Sequence, residues 1–282
     1  MKKFEAEDSR VKVVHVEPVE KFWGNKKYAL TLGIKAAKHD LLLFTDADCQ
    51  PVSNNWIATM SSHFSNEKSI VLGYGAYKKI KGSFLNALIR YETFLAAVQY
   101  FSYANIGLPY MGVGRNLAYR KSLFLESSGF IKHLNIKSGD DDLFVNQVAT
   151  SKNTAICSSN DGFTESLPKK TFMGWLRQKR RHVSTASHYK PLHQILLGLF
   201  YFSQLLFWLT AIVLFLVGYD WIYLTCIIIL RVATVMLILH MAAKRLGETG
   251  LIVIQPFLEI ALIVSQFFIF IQNLISKPRH WK

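Results

Sequence analysis

Cysteine is scarce: three in 282 residues, Cys49, Cys157 and Cys226, with no CxxC spacing and no Cys/His cluster. That excludes a disulfide scaffold and a structural zinc site, and it fits a reducing compartment. Acid is also short, with 19 Asp+Glu against 33 Lys+Arg and a net charge of +14. The opening residues MKKFEAED hold no apolar run, so no secretory leader is expected at this start. Nor is there a recognisable nucleic-acid motif. The basic excess crowds beside an apolar segment, so no nucleic-acid partner is expected.

Apolar residues are plentiful. They make up 51% of the chain, at a mean hydropathy of +0.20, too much for a disordered chain or a wholly soluble domain. The distribution is uneven: 27 of the 33 basic residues and 16 of the 19 acids precede residue 192. Residues 1–190 therefore read as one α/β domain, 192–275 as a membrane region and 276–282 as a basic tail. Within the membrane region the apolar stretches are 195–217, 221–243 and 251–275, each long enough to cross a hydrocarbon core of about 30 Å. Gly218-Tyr219-Asp220 makes a tight turn between the first two.

Lys169, Lys170, Arg177, Lys179, Arg180, Arg181 and Lys190 precede the first stretch with no acid among them. The bias of basic residues toward the cytosol places residues 1–190 there, in an integral membrane protein of the plasma or bacterial inner membrane. A third full crossing puts Lys277, Arg279 and Lys282 on the far side, against that bias. Either the bias fails there, or the last stretch is broken at Pro256 and does not fully cross. Arg231 stands in the middle of the second stretch and Glu259 is the one acid of the third. A pair between them is expected; the alternative is an Arg231 that faces headgroups or a partner helix.

In the first half, VKVVHV (11–16) reads as a strand, residues 25–38 as a helix and Leu41–Phe44 as a strand buried on both faces, together a βαβ unit of a parallel sheet. Ligands of such sheets bind beyond the strand ends, where Asp46 and Asp48 stand in a D-x-D pattern. Paired carboxylates suit Mg²⁺ or Mn²⁺ shared with substrate phosphates; a solvated acidic turn is the plain alternative. Asp140, Asp141 and Asp142 follow Gly139. Three adjacent acids repel one another, which holds one proton more tightly and suits a general base. A helix N-terminus also favours acids, and the two readings are compatible. The run WLRQKRRH (175–182) is a basic helix just before the membrane. It sits on anionic headgroups, or it turns Gln178 and Arg181, at i and i+3, toward a diphosphate.

A strand-end Asp-Ala-Asp, an acidic triplet about 90 residues on, and Gln-x-x-Arg ahead of membrane helices together resemble the membrane-bound family 2 glycosyltransferases. Cellulose, hyaluronan and poly-N-acetylglucosamine synthases and ceramide glucosyltransferase share the pattern. The resemblance implies a GT-A fold and inverting transfer from a nucleotide sugar, a UDP-sugar, to a lipid or glycan acceptor. Asp46 and Asp48 correspond to the metal-binding pair. Lys26 or Lys27, in a stretch resembling G-K-x-x-A-L with Asn25 for glycine, corresponds to the nucleotide lysine. Gly114, Asn116 and Arg120 lie in a segment similar to the loop that lines the sugar site. Asp141 corresponds to the base, with Asp142 its rival and Asp140 beside them. Gln178, Arg181 and His182 match Q-x-x-R-W on the donor side, with His182 in place of tryptophan.

The first two strands of that fold, which hold the base and ribose, have no counterpart before Asp46. The resemblance therefore implies a truncated GT-A domain, from a start placed too late, a split gene whose other polypeptide supplies the missing strands, or a degenerate remnant. A non-catalytic remnant or partner subunit is the other expectation.

Overall fold

The computed structural model describes residues 2–16, 25–136 and 138–276. Its elements are α1 (Lys2–Glu7), α2 (Asn25–Ala36), β1 (Leu41–Phe44), β2 (Cys49–Pro51), α3 (Trp56–Ser61), β3 (Ile70–Leu72), β4 (Gly75–Tyr77), α4 (Phe84–Asn105) and β5 (Leu117–Arg120). These are followed by α5 (Lys121–Glu126), α6 (Asp142–Val148), β6 (Thr154–Ile156), β7 (Thr164–Ser166), α7 (Phe172–Val183), α8 (Pro191–Leu216), α9 (Trp221–Leu246) and α10 (Gln255–Ile275). The chain is thus a mixed α/β half followed by three helices long and apolar enough to cross a membrane.

Two small sheets carry the first half. One has the order β1-β5-β3-β6, the other β2-β7-β4. β1 pairs antiparallel with β5, β5 antiparallel with β3, and β3 parallel with β6. This corrects the parallel βαβ unit. Residues 11–16 form no strand, and β1 joins its sheet through β5 rather than through a crossover from an earlier strand. β1 is an edge strand, with Leu41 exposed and Leu42, Leu43 and Phe44 half-buried, because only one neighbour covers it. Its open side meets α2 around a cavity of about 480 Å³.

The core lies under the central strand β3, where Ile70, Val71 and Leu72 are all fully buried. α4 packs beneath it. Ser83 starts that helix by accepting a hydrogen bond from the Asn86 N–H, and Leu88, Ile89, Phe94 and Ala97 face inward. Asn116 ties the layers together. It is buried, accepts from Trp56 Nε1 (3.1 Å) and donates to the carbonyls of Tyr74 (2.9 Å) and Gly162 (2.7 Å). Position 73 must be glycine beside it, since a Cβ there would lie 2.5 Å from the Asn116 amide.

Proline in the first turn opens α8, Asp220 caps α9, and Gly247 ends α9 at a φ of +73° that other residues avoid. The last turns of α9 do not stand free: Leu239, Ala243 and Leu246 join the core cluster of the α/β half. Between α9 and α10, Glu248 is buried against Arg90 and the Tyr74 hydroxyl. The expected pair is present. Arg231 binds Glu259 through both amino groups and stacks over Phe207 and Trp208, while Trp208 Nε1 (3.1 Å) and Gln255 Nε2 (2.7 Å) also donate to the Glu259 carboxylate. Arg231 stands four residues before Val235, which packs on the core, so the charge sits near the α/β half. The basic tail beyond Ser276 lies outside the described residues.

A buried pair is costly to break but cheap to replace whole. Arg231→Met or Glu259→Leu alone should lower stability by about 3–5 kcal/mol, leaving one unpaired charge among apolar helices. The double variant should recover most of that loss, read as thermal retention of the monodisperse protein in detergent.

Candidate active site

The acidic triplet opens α6. Gly139 takes a φ of +87°, Asp141 is the N-cap and Asp142 the first helical residue, so the helix-start and site readings hold together. Each of the three carboxyls is engaged differently.

Asp140 is nearly buried and pairs with Lys26 Nζ at 2.8 Å. The same ammonium lies 3.3 Å from Asp46 Oδ1, so the end of β1 and the start of α6 converge on one positive charge. Burial works against that charge, but Asp140 and Asp46 outweigh it and hold the ammonium above its usual range. Asp48, two residues on, is exposed, its carboxylate 3.7 Å from Cys49 Sγ.

Asp142 is buried. It accepts from the Thr185 hydroxyl, from the Tyr189 hydroxyl (2.7 Å) and from the Leu143 N–H (2.8 Å). Burial raises its pKa, and those hydroxyls oppose the rise. Its acceptor capacity is spent on the linker between α7 and α8.

Asp141, between them in sequence, is half-buried. Its Oδ2 accepts from the Gly114 N–H at 2.6 Å, and its Oδ1 from the Asp142 N–H at 2.8 Å. A Cβ at position 114 would lie 3.2 Å from that carboxylate, so glycine permits the close approach. Dehydration, then Asp140 and Asp142, push the carboxyl up to about 7; the Gly114 N–H and Lys26 act in the other direction.

α7 precedes the linker that holds Asp142, and Thr171 caps its first turn. Gln178 Oε1 is buried without a protein donor, and Arg181 follows one turn later. His182, the next residue, is exposed. Dehydration, then Lys179, Arg181, Arg115 and Lys26, push its imidazole below the ordinary value. Two other basic residues of the run are committed elsewhere. Lys179 pairs with Glu92 of α4, and Arg180 binds the C-terminal end of α10.

Not every residue singled out from the sequence gathers here. Of the adjacent lysines, Lys26 faces the acids, while Lys27 is buried and donates to the carbonyls of His133 (2.6 Å) and Ile136 (2.9 Å), bracing the loop before the triplet. Gly114 is at the site. Asn116 is buried in the sheet packing. Arg120 lies at the other end of β5, paired with Asp40 at 2.9 Å, because the strand carries it away from Gly114.

Sequence reasoning gave no role to three residues. Thr185 and Tyr189 hold Asp142. Arg115 stacks on Tyr77 at 4.2 Å and is held by Ser166 and the Ala76 carbonyl, near enough to His182 to oppose its protonation.

The raised Asp141 pKa carries a stability consequence with a fixed sign. A carboxyl whose folded pKa is about 7, against an unfolded value of about 3.9, destabilises the fold progressively as pH rises between those values and fully above the higher one. Asp141→Asn should therefore raise the Tm of the full chain at pH 8, and by less at pH 5, where the wild-type carboxyl is already protonated.

No curated protein matches the chain. The sequence model of glycosyl transferase family 21 matches residues 2–282, so the match takes in both the cleft and the apolar helices behind it. The resemblance carried by the order of the motifs is thereby borne out as a glycosyltransferase assignment. That match spans the α/β half and the three apolar helices alike, and the chain is a member of glycosyltransferase family 21.

Proposed function

We propose that the protein transfers a sugar, with inversion, from a nucleotide-diphosphate sugar to a hydroxyl of a lipid acceptor, from the cytosolic face of the membrane. The observation that carries this reading is the Asp141 carboxyl, held by the Gly114 N–H, with a pKa near 7 beside the Lys26 centre. A base with that pKa is half ionised at neutral pH and takes a hydroxyl proton efficiently.

Asp141 removes the acceptor proton as the acceptor oxygen bonds to the anomeric carbon. The bond from that carbon to the diphosphate oxygen breaks on the opposite side, which inverts the centre. The leaving diphosphate carries the negative charge. Arg181 and Gln178 on α7 and Lys26 on α2 are the groups for its oxygens. His182 stands where the resembling enzymes have tryptophan and faces the acceptor side.

The donor set also fits a hard divalent cation. Asp46 and Asp140 already converge on one ammonium, and oxygen ligands shared with phosphates suit Mg²⁺ or Mn²⁺. Among the described residues no three acids, histidines or cysteines cluster as a ready metal site, so substrate phosphates would complete the shell. Asp46 and Asp140 would hold the ion, with Asp48 beside them, and it would neutralise the leaving diphosphate. The lipid reading rests on position. Asp142 is fixed by Thr185 and Tyr189, and Asn146 of the same helix lies 3.0 Å from His193 in the first turn of α8.

The full chain in lipid nanodiscs, given a panel of UDP-sugars and lipid or oligosaccharide acceptors with Mn²⁺, tests the reading. Asp141→Asn should lower transfer by about 10²–10⁴-fold and leave UDP binding intact. Lost donor binding removes Asp141 from the base role, and transfer to soluble glycans alone removes the lipid acceptor. Lys26 lowers the Asp141 pKa, so Lys26→Gln should move the acid limb of kcat/KM to higher pH.

A further inference from the structure

The three apolar helices differ in how they meet the rest of the protein. α8 leaves the α/β half from His193, which lies against Asn146, and runs out to the exposed turn around Gly218. α9 returns, and its last turns bury Leu239, Ala243 and Leu246 in the core. α10 then begins and ends against the same half. At its start, Gln255 Nε2 lies 3.3 Å from the Tyr91 hydroxyl, and the preceding turn places Glu248 on Arg90 and Gly250 beside Lys79. At its finish, Arg180 binds the Gln272 and Ser276 carbonyls and the Asn273 side chain. The two anchor points are themselves joined, since Lys179 pairs with Glu92, next to Tyr91.

Burial separates α10 in the same way. In its most apolar window 44% of residues are buried within the protein, against 11% for each of the other two helices. Its buried face carries Gln255, Glu259 and Ser265, while Phe257, Ile260, Val264, Phe267 and Ile271 form an uninterrupted apolar outer face.

We propose that the chain crosses the bilayer twice, through α8 and α9. α10 does not cross: it lies half-immersed on the side of the α/β half, with its outer face against the acyl chains of that leaflet. A full crossing would carry Tyr91, with its charged neighbours Arg90, Glu92 and Lys79, to the opposite side from Arg180. That would cost several buried charges in hydrocarbon. A helix with one apolar face and one face bound to protein is stable in the interfacial region instead. The arrangement also puts the basic residues that follow Ser276 on the same side as Lys169, Lys170 and Arg177, which satisfies the charge bias that a third crossing violates. α10 then serves as the bed on which α7 rests, fixing the cleft at headgroup height.

Sidedness of labelling tests this independently of any activity. In the full chain with Cys49→Ser, Cys157→Ala and Cys226→Ala, single reporters are introduced as Ser276→Cys, Glu67→Cys in the α/β half and Tyr219→Cys in the α8–α9 turn. A membrane-impermeant maleimide is applied to sealed vesicles of one orientation and then to the opposite one. Ser276→Cys should label from the same side as Glu67→Cys and not from that of Tyr219→Cys. Labelling with Tyr219→Cys, or from both sides, overturns the proposal. An epitope tag after Lys282 of the wild-type chain gives a second measurement that does not depend on the cysteine-free background. Protease should remove it from the Glu67 side, and removal only from the Tyr219 side has the same overturning force.

Discussion

The buried carboxylate of Asp142 holds this protein together where it works. It satisfies itself with two hydroxyls from the segment that leads into α8 and with the N–H of Leu143. A buried acid with its acceptor sites filled is rigid, and losing a partner would leave a charge stranded in the interior. One residue back stands Asp141. The candidate base is therefore one peptide bond away from the group that clamps the α/β half to its membrane helices. The distance from cleft to membrane is set by that clamp and not by a flexible linker.

The same triplet shows how identical side chains acquire different chemistry. Asp140 is neutralised by Lys26, Asp142 is paired with hydroxyls, and Asp141 accepts from two backbone N–H groups. Its neighbours supply repulsion, its surroundings exclude water, and its proton affinity rises. Environments that push adjacent carboxyls apart are a recognised basis for dividing acid and base roles. Glycine at position 114 matters for a related reason, because a Cβ there would crowd the carboxylate at 3.2 Å and press it away from the N–H.

Much of this was legible in the residue order. The apolar stretches, the turn at Gly218 and the Arg231–Glu259 pair follow from pattern and charge, while the meeting of Asp46 with the acidic triplet was implied only by the family resemblance. The sheet was not legible. Strands of three or four apolar residues such as Ile70–Leu72 carry no mark of direction, so the parallel unit expected around Leu41–Phe44 gave way to antiparallel pairing with β5. Lys26 and Lys27 look alike in sequence, and only the helical turn between them decides which meets the acids and which is buried on carbonyls. Arg120 was misleading because a strand moves about 3.3 Å per residue. Six residues from Gly114 are enough to take it out of the cleft. Tyr189 and Thr185 gave no signal, since a hydroxyl that will fill a buried carboxylate looks like any other polar residue in a linker.

The α8–α9 hairpin has one further consequence. At its far end is only the short exposed turn Val217–Asp220, with no folded body beyond it among the described residues. Nothing there resists a change in tilt. A thicker or thinner bilayer is met by leaning the two helices, at a fraction of a kcal/mol per ångström of mismatch. Their near ends are gripped by Asn146, by the core around Leu246 and by the Arg90–Glu248 pair. Hydrophobic mismatch is thus absorbed on the side away from the cleft. Under the proposed reaction, the height at which Asp141 would meet a membrane-borne hydroxyl would then stay nearly constant from one lipid composition to another.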